Sequence, residues 1–250
     1  MNALEWIEAG WPAPPGIVAG TTCRKGGVSK GAYASLNLAA HVGDDVAAVT
    51  TNRRRFVSGC GLPEEPGWLA QVHGTTVVRA EAMTAGREAD VVVTARMDTV
   101  CAVLTADCLP VLFTSDTGEE VAAAHAGWRG LCDGVLEATL SVMSTPPGRL
   151  MAWMGPAISQ AAFEVGDEVR DAFLDADPAA AGFFERNPAG RWQADLYGLA
   201  GLRLRKAGLT RIYGGGRCTF RESDQFFSYR RDNPCGRMAT FIFRTSQVRE

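Results

Sequence analysis

Short apolar runs separated by turn residues dominate the middle of the chain. Residues 100–104 and 109–114 are rich in Val, Leu, Cys and Phe, and residues 121–124 form a third run after the polar break Ser115 to Glu120. Runs of this length bounded by turn residues predict buried strands. The period then changes: Leu131, Val135, Leu136, Leu140 and Met143 recur at helical spacing, so a helix follows the third strand after a Gly-containing turn. The same reading predicts strands over residues 17–23, 67–71, 75–80, 90–94, 150–154, 211–213 and 237–244. It predicts helices from Asp44 to about residue 58, over 166–174, and from an Asp195 cap to about residue 207. Residues 178–187 read as an irregular link and 214–219 as a flexible glycine corner. The early strands are joined by short loops rather than regular crossover helices, which predicts a mixed or antiparallel sheet in a single domain over residues 1–250.

This pattern brings chemistry to two strand ends. Cys108 falls at the junction between two runs, beside Pro110, and His125 closes the third run just before Gly127. Function is often carried at such strand ends. The chain has three histidines, His41, His73 and His125. His73 and His125 flank Cys108, but neither separation is a short chelate pair of the CxxC or HExxH kind. Spacing alone leaves open both a metal site and a buried thiol packed as a small hydrophobe beside hydrogen-bonded histidines.

Composition narrows the class. With 250 residues, 46% of them hydrophobic and 21% charged, the chain can bury a sizeable core. A net charge of −3 gives no general attraction to nucleic acid or to an anionic membrane. The one dense basic run, Arg53-Arg54-Arg55, sits late in the predicted Asp44 helix, where cations suit the helix dipole. The first residues lack a basic start followed by an apolar core, and no apolar run is long enough to span a bilayer, so the expectation is a cytoplasmic protein. Seven cysteines without paired spacing suit reduced thiols better than a disulfide framework.

Several words, read together, resemble one family. QVHG at 71–74, TADCLPV at 105–111 and HAGWRG at 125–130 are similar to the signature of the YfiH/DUF152 proteins, also called LACC1-like or polyphenol oxidase, laccase domain proteins. The resemblance continues through RKGGVSKGAYASLNLAAHVGDD at 24–45, GPAIS at 155–159, FEVGDEV at 163–169 and QFFSYRRDNPCGR at 225–237. It covers almost the whole chain in order. Cys23 and Cys235 depart from it, standing where Thr is usual.

The resemblance implies an α+β fold of layered mixed sheets flanked by helices, with a metal pocket at one edge. It also implies a metal held by His73, Cys108 and His125. Two imidazoles and a thiolate suit Zn²⁺ and leave a fourth position for water or substrate; copper is also compatible. The segment around Asn37 resembles one that lines the pocket, whereas His41 corresponds to no ligand and reads as a rim or surface residue.

The activity implied is purine nucleoside chemistry: phosphorolysis of adenosine, inosine and methylthioadenosine, and hydrolytic deamination of adenosine. Zinc would activate water for the deamination, with Asp107 or Asp224 moving the proton. Phosphorolysis needs a cationic, amide-rich cradle, for which Arg24 with Gly26 and Gly27, Arg129 and Arg230 are candidates, because arginine offers a planar fork to phosphate oxygens. Phe226, Phe227 and Tyr229 are candidates to stack on a purine, or to be core. The predicted partners are therefore purine nucleosides and phosphate, with no nucleic acid and no membrane.

Three alternatives stay open. Cys108 as nucleophile, His125 as base and Asp107 nearby would make a cysteine hydrolase or amidase, a chemistry that fits the family's role in peptidoglycan precursor editing. A mononuclear copper at the same three residues would give polyphenol oxidase activity, although three histidines exclude the trinuclear cluster of ordinary laccases, which takes about eight imidazoles. Closed coordination would instead make a non-catalytic, zinc-stabilised binding protein.

Overall fold

A computed structural model describes residues 4–84 and 86–246. Two sheets pack face to face. The first has four antiparallel strands in the order Trp6–Glu8, Ile17–Thr22, Met238–Arg244 and Cys101–Thr105. The second has six, in the order Arg211–Gly214, Leu150–Met154, Leu109–Ser115, Val121–Ala126, Val91–Thr94 and Val77–Arg79. Its two outermost pairings are parallel and its inner ones antiparallel, so it is mixed. A small antiparallel sheet of Phe184–Arg186, Trp192–Ala194 and Glu164–Val165 pairs with neither.

Side-chain alternation sorts these strands into layers. Ala19, Cys101, Val103 and Ile242 of the first sheet meet Val92, Leu112, Ala123 and Trp153 of the second. The opposite face of the first sheet, with Ala102, Leu104, Phe241 and Phe243, packs on Phe56 of the helix Val46–Gly59. The opposite face of the second, with Val91, Val111, Phe113 and Ala124, packs on the helices Val135–Val142, Asp167–Ala176 and Leu196–Lys206. The result is an α+β fold of helix, sheet, sheet and helix layers. Because both faces of each central strand are covered, those strands read as continuous apolar runs rather than as alternating ones.

Several expected elements shift. The helix predicted from Leu131 starts earlier, as Trp128–Asp133, and breaks at Gly134 before resuming as Val135–Val142. Gly134 takes φ 97, a left-handed conformation that ends the first segment at little cost only for glycine. The expected strand at 67–71 is only a bridge between Ala70 and Glu88. The expected irregular link holds a 3₁₀ segment, Pro178–Phe183, and the strand Phe184–Arg186. The helix Val46–Gly59 is capped by Asp45, which accepts from the Ala47 and Ala48 N–H groups. The neighbouring Asp44 turns inward to Ser29 and Asn37. Among the described residues no disulfide joins any of the cysteines.

Candidate metal centre

His125 lies at the end of the strand Val121–Ala126, paired in register with Pro110, and is 3% exposed. Its Nδ1 donates to Oδ1 of Asp90 at 2.7 Å. Asp90 immediately precedes the neighbouring strand Val91–Thr94 and is fully buried. Its carboxylate also accepts the N–H groups of Val72, His73 and Gly74, at 3.3, 3.0 and 2.7 Å. One carboxylate therefore fixes the ring of His125 and the backbone that carries His73. Burial pushes the Asp90 carboxyl up, but the bonds from His125, Gly74 and His73 outweigh it and hold the group below the usual carboxylate range.

His73 is exposed and adopts φ 61, a left-handed backbone that turns its ring over Gly127. Cys108 follows Asp107, itself at φ 97, in the turn between the strands Cys101–Thr105 and Leu109–Ser115. Cys108 Sγ is 3.7 Å from His73 Nε2, and the two imidazole centroids are 4.8 Å apart at 75°. One ligand atom from each of His73, Cys108 and His125 lies within 4.8 Å of the others. Burial raises the Cys108 thiol, but the charge on His125 and hydrogen bonds from His125 and His73 prevail, and the thiol is lowered toward thiolate.

This donor set fits a metal ion. A thiolate and two imidazoles converge, and the carboxylate on Nδ1 of His125 commits Nε2 to the ligand side, the usual outer-shell arrangement of metal-binding histidines. The packing also keeps the corner clear of other atoms: a Cβ on Gly127 would stand 2.5 Å from His73 Cδ2 and 3.2 Å from Cys108 Sγ.

The three residues line a cavity of about 570 Å³. Leu104, Ile158, Phe163 and Leu196 form apolar wall, Arg129, Arg230 and Arg237 bring cations, and His41 and Tyr229 are among the other lining residues. Asp107 is in the lining too, but its carboxylate is engaged by Thr219 Oγ1 at 2.6 Å, Ser228 Oγ at 3.0 Å and the Arg230 N–H at 2.7 Å.

Other expected residues lie elsewhere. Arg24 lines a separate, shallow depression with Lys25, Ser35 and Asp224. Its guanidinium donates to the Ala34 and Ser223 carbonyls and sits 4.8 Å from the Phe227 ring centroid, so the fork is spent on holding loops together. A Cβ on Gly26 would meet Leu4 at 2.7 Å, and one on Gly27 the Ser35 carbonyl at 2.0 Å; these glycines serve close packing away from the cavity. Asn37 is buried and bonds Ala39, Asp44 and the Arg237 N–H instead of lining the cavity. Phe226 and Phe227 are core, whereas Tyr229 is 51% exposed at the cavity.

Sequence reading missed Asp90 and Arg237 as site residues. The first had a signal, a carboxylate leading directly into the apolar run Val91-Val92-Val93; the second was read only as the start of a closing strand.

Two facing sheets, one antiparallel and one mixed, with a His-Cys-His cluster in an arginine-lined cavity define a layered α+β protein with a candidate metal pocket. The chain belongs to the YfiH/DUF152 family: residues 18–245 match the family model described as multi-copper polyphenol oxidoreductase laccase. It is 50% identical over 234 residues to the Escherichia coli purine nucleoside phosphorylase YfiH, covering 93% of this chain and 96% of that protein. It is 49% identical over 245 residues to a Pseudomonas aeruginosa purine nucleoside phosphorylase, covering 97% and 99%. A Neisseria meningitidis DUF152 crystal structure superposes with a TM-score of 0.93 at 50% identity, covering 96% of this chain and 99% of the other. YlmD from Geobacillus stearothermophilus superposes with a TM-score of 0.89 at 32% identity, covering 98% of each.

Proposed function

We propose that this chain is a purine nucleoside phosphorylase that also deaminates adenosine, with Zn²⁺ held by His73, Cys108 and His125. The observation that carries the reading is one cavity that joins this donor cluster to three arginines and an apolar wall. The names of the E. coli and P. aeruginosa relatives support the same class of enzyme.

In phosphorolysis of adenosine, inosine or methylthioadenosine, a phosphate oxygen bonds to ribose C1′ as the C1′–N9 bond breaks. The electron pair leaves with the base, which takes up a proton, and ribose 1-phosphate (or its methylthio analogue) remains. Arg129 and Arg230 are suited to neutralise the phosphate, and Leu104, Ile158 and Phe163 to receive the heterocycle. Deamination adds water at C6 and releases ammonia, giving inosine. Zinc supplies Lewis-acid activation when bound. Asp107, with its carboxylate bonded to Thr219, Ser228 and the Arg230 N–H, is better suited to holding Arg230 than to moving a proton.

A second reading draws on the Asp90–His125–Cys108 relay: an activated thiol, an imidazole beside it and a carboxylate on the far nitrogen also suit a cysteine hydrolase or amidase, including one that edits peptidoglycan precursors. Copper at the same donors, with polyphenol oxidation, is the reading the family description suggests. We place the phosphorylase first and take residues 1–250 as one cytoplasmic domain acting on small molecules; among the described residues no helix is long and apolar enough to cross a membrane.

Chromatography of adenosine incubated with zinc-loaded protein, with and without phosphate, tests the reading. Adenine with ribose 1-phosphate only when phosphate is present, and inosine in its absence, is the expected result. Intact adenosine throughout, with an acyl adduct trapped on Cys108 by a muramyl peptide, would transfer the assignment to the hydrolase.

A further inference from the structure

Many arginines of this protein are tied into ion pairs or carbonyl bonds and others are spread over the exposed surface, but three share one cavity without a carboxylate partner. Arg217 pairs with Glu222, Arg149 with Asp116, and Arg203 with Glu137. Arg231, next in sequence to a cavity residue, spends its guanidinium on the carbonyls of Thr219, Phe220 and Phe226 and on Asp232. By contrast, Arg129, Arg230 and Arg237 line the cavity, and among the described residues none of the three has a carboxylate ion-pair partner.

Each is nevertheless held. Arg129 lies over the Trp128 ring at 4.4 Å and makes no hydrogen bond among the described residues. Arg230 keeps one donor on the Glu164 carbonyl, and Arg237 keeps Nη1 on the Cys235 and Gly236 carbonyls, which leaves Nε and Nη2 of each fork without a hydrogen-bond partner among the described residues. Two buried side chains fix their backbones in matching fashion: Asp107 Oδ2 accepts the Arg230 N–H at 2.7 Å, and Asn37 Oδ1 accepts the Arg237 N–H at 3.0 Å. Asn37 is fully buried and Asp107 is 9% exposed.

Three guanidinium groups around one cavity repel one another until an anion enters, and forks held in advance lose less freedom when they bind it. From this we infer that Arg237, with Arg129 and Arg230, forms the oxyanion cradle of the cavity, and that Asn37 and Asp107 are positioning residues acting through Arg237 and Arg230. The anion is inorganic phosphate, the co-substrate of the proposed phosphorolysis, so the inference rests on that reading for its ligand. The state of His41 agrees with a positive field here: burial and then the charges of Arg237 and Arg53 lower its basicity.

Calorimetric titration of the zinc-loaded full-length protein with inorganic phosphate tests the cradle without requiring turnover. Arg237→Met is expected to raise the dissociation constant for phosphate about tenfold or more, and Arg237→Lys by less, since lysine restores the charge without the fork. Arg129→Met should weaken binding as well, and because Arg129 holds no other part of the chain, this variant remains informative even if Arg237→Met folds poorly. Arg54→Met, the same charge loss on the exposed side of a helix away from the cavity, should bind phosphate as the wild type does. In phosphorolysis the Arg237→Met effect should appear in the KM for phosphate and not in that for the nucleoside. Wild-type affinity in Arg237→Met or Arg129→Met, or no phosphate binding by the wild type, overturns the inference. Phosphate bound through Arg237 by a wild type that forms no ribose 1-phosphate would uphold the cradle and defeat the phosphorylase reading instead.

Discussion

Asp90 and His125 form a buried pair, with the carboxylate 2.7 Å from Nδ1, and the same carboxylate receives three consecutive N–H groups from the loop that carries His73. The two imidazoles of the cluster are therefore set by one residue that does not itself line the cavity. Asp90→Asn keeps the shape, removes the charge, and leaves His125 without an anionic partner. Zinc affinity should fall about 10–100-fold, read by competition with a chromophoric chelator. Stability should drop by about 1–3 kcal/mol in the metal-free protein, since a neutral amide is a weaker acceptor for the buried N–H donors. Unchanged zinc affinity would show that the pair is structural only.

Gly127 offers a different kind of test. Its φ of −62 and ψ of 157 are open to any residue, so Gly127→Ala brings no backbone strain. The added methyl instead stands 2.5 Å from His73 Cδ2 and 3.2 Å from Cys108 Sγ. His73 has to swing away, and overpacking of this kind costs about 1–3 kcal/mol. The expected outcome is loss of stoichiometric zinc by elemental analysis with an unchanged far-ultraviolet circular dichroism spectrum. Full zinc occupancy in this variant would count against His73 as a ligand.

How far the sequence carried the reading depends on the range of the interactions. The strand Leu150–Met154 and the runs leading to Cys108 and His125 were legible because burial on both faces leaves long apolar stretches. Trp6–Glu8 and Trp192–Ala194 were not, since three-residue strands exist only through their pairing partners. Gly134 is one glycine among many in the sequence, and only its left-handed backbone shows that it breaks a helix. Within the site, His73, Cys108 and His125 were legible as residue types, but their convergence came from resemblance. Spacing says nothing of contacts made across a strand pair and a turn.

The basic residues show the same limit more sharply. Arg24, in a glycine-rich loop, carried the stronger local signal for an anion site, yet its guanidinium is bound to the Ala34 and Ser223 carbonyls. Arg237 carried none, yet it lines the cavity. Adjacent Arg230 and Arg231 are indistinguishable in sequence, and only the fold sends one to the cavity and the other to three carbonyls. Which arginine is free is decided by its neighbours in space, and a single sequence does not record them.

Cys108 separates the competing chemistries. As a metal ligand it should be needed for zinc: Cys108→Ala should lose most bound metal and at least 100-fold in turnover, and the wild type should be silenced by chelation and restored by added Zn²⁺. As a nucleophile it should be needed for turnover whether or not metal is bound, and chelation would leave the rate unchanged. Rates before and after chelation, on one preparation, tell these apart. A chelation-resistant activity lost in Cys108→Ala would defeat the zinc reading.

Removing zinc also tests whether the metal is structural. The loop bearing His73 is tied to Asp90 by three N–H bonds, and His125 sits in a strand paired with Leu109–Ser115 on one side and Val91–Thr94 on the other. None of these contacts uses the metal. The layers on either side, including Phe113, Phe173 and Leu204 beneath the six-stranded sheet, are likewise closed without it. The metal-free protein should therefore keep its secondary structure and melt in one cooperative step. Its stability should fall only by the amount that ligand binding to the native state accounts for, about 4 kcal/mol when free zinc stands a thousandfold above its dissociation constant, and its melting temperature accordingly. Loss of the folded circular dichroism spectrum on chelation would contradict this, because in a zinc-stabilised binding protein the metal supplies the folding energy itself.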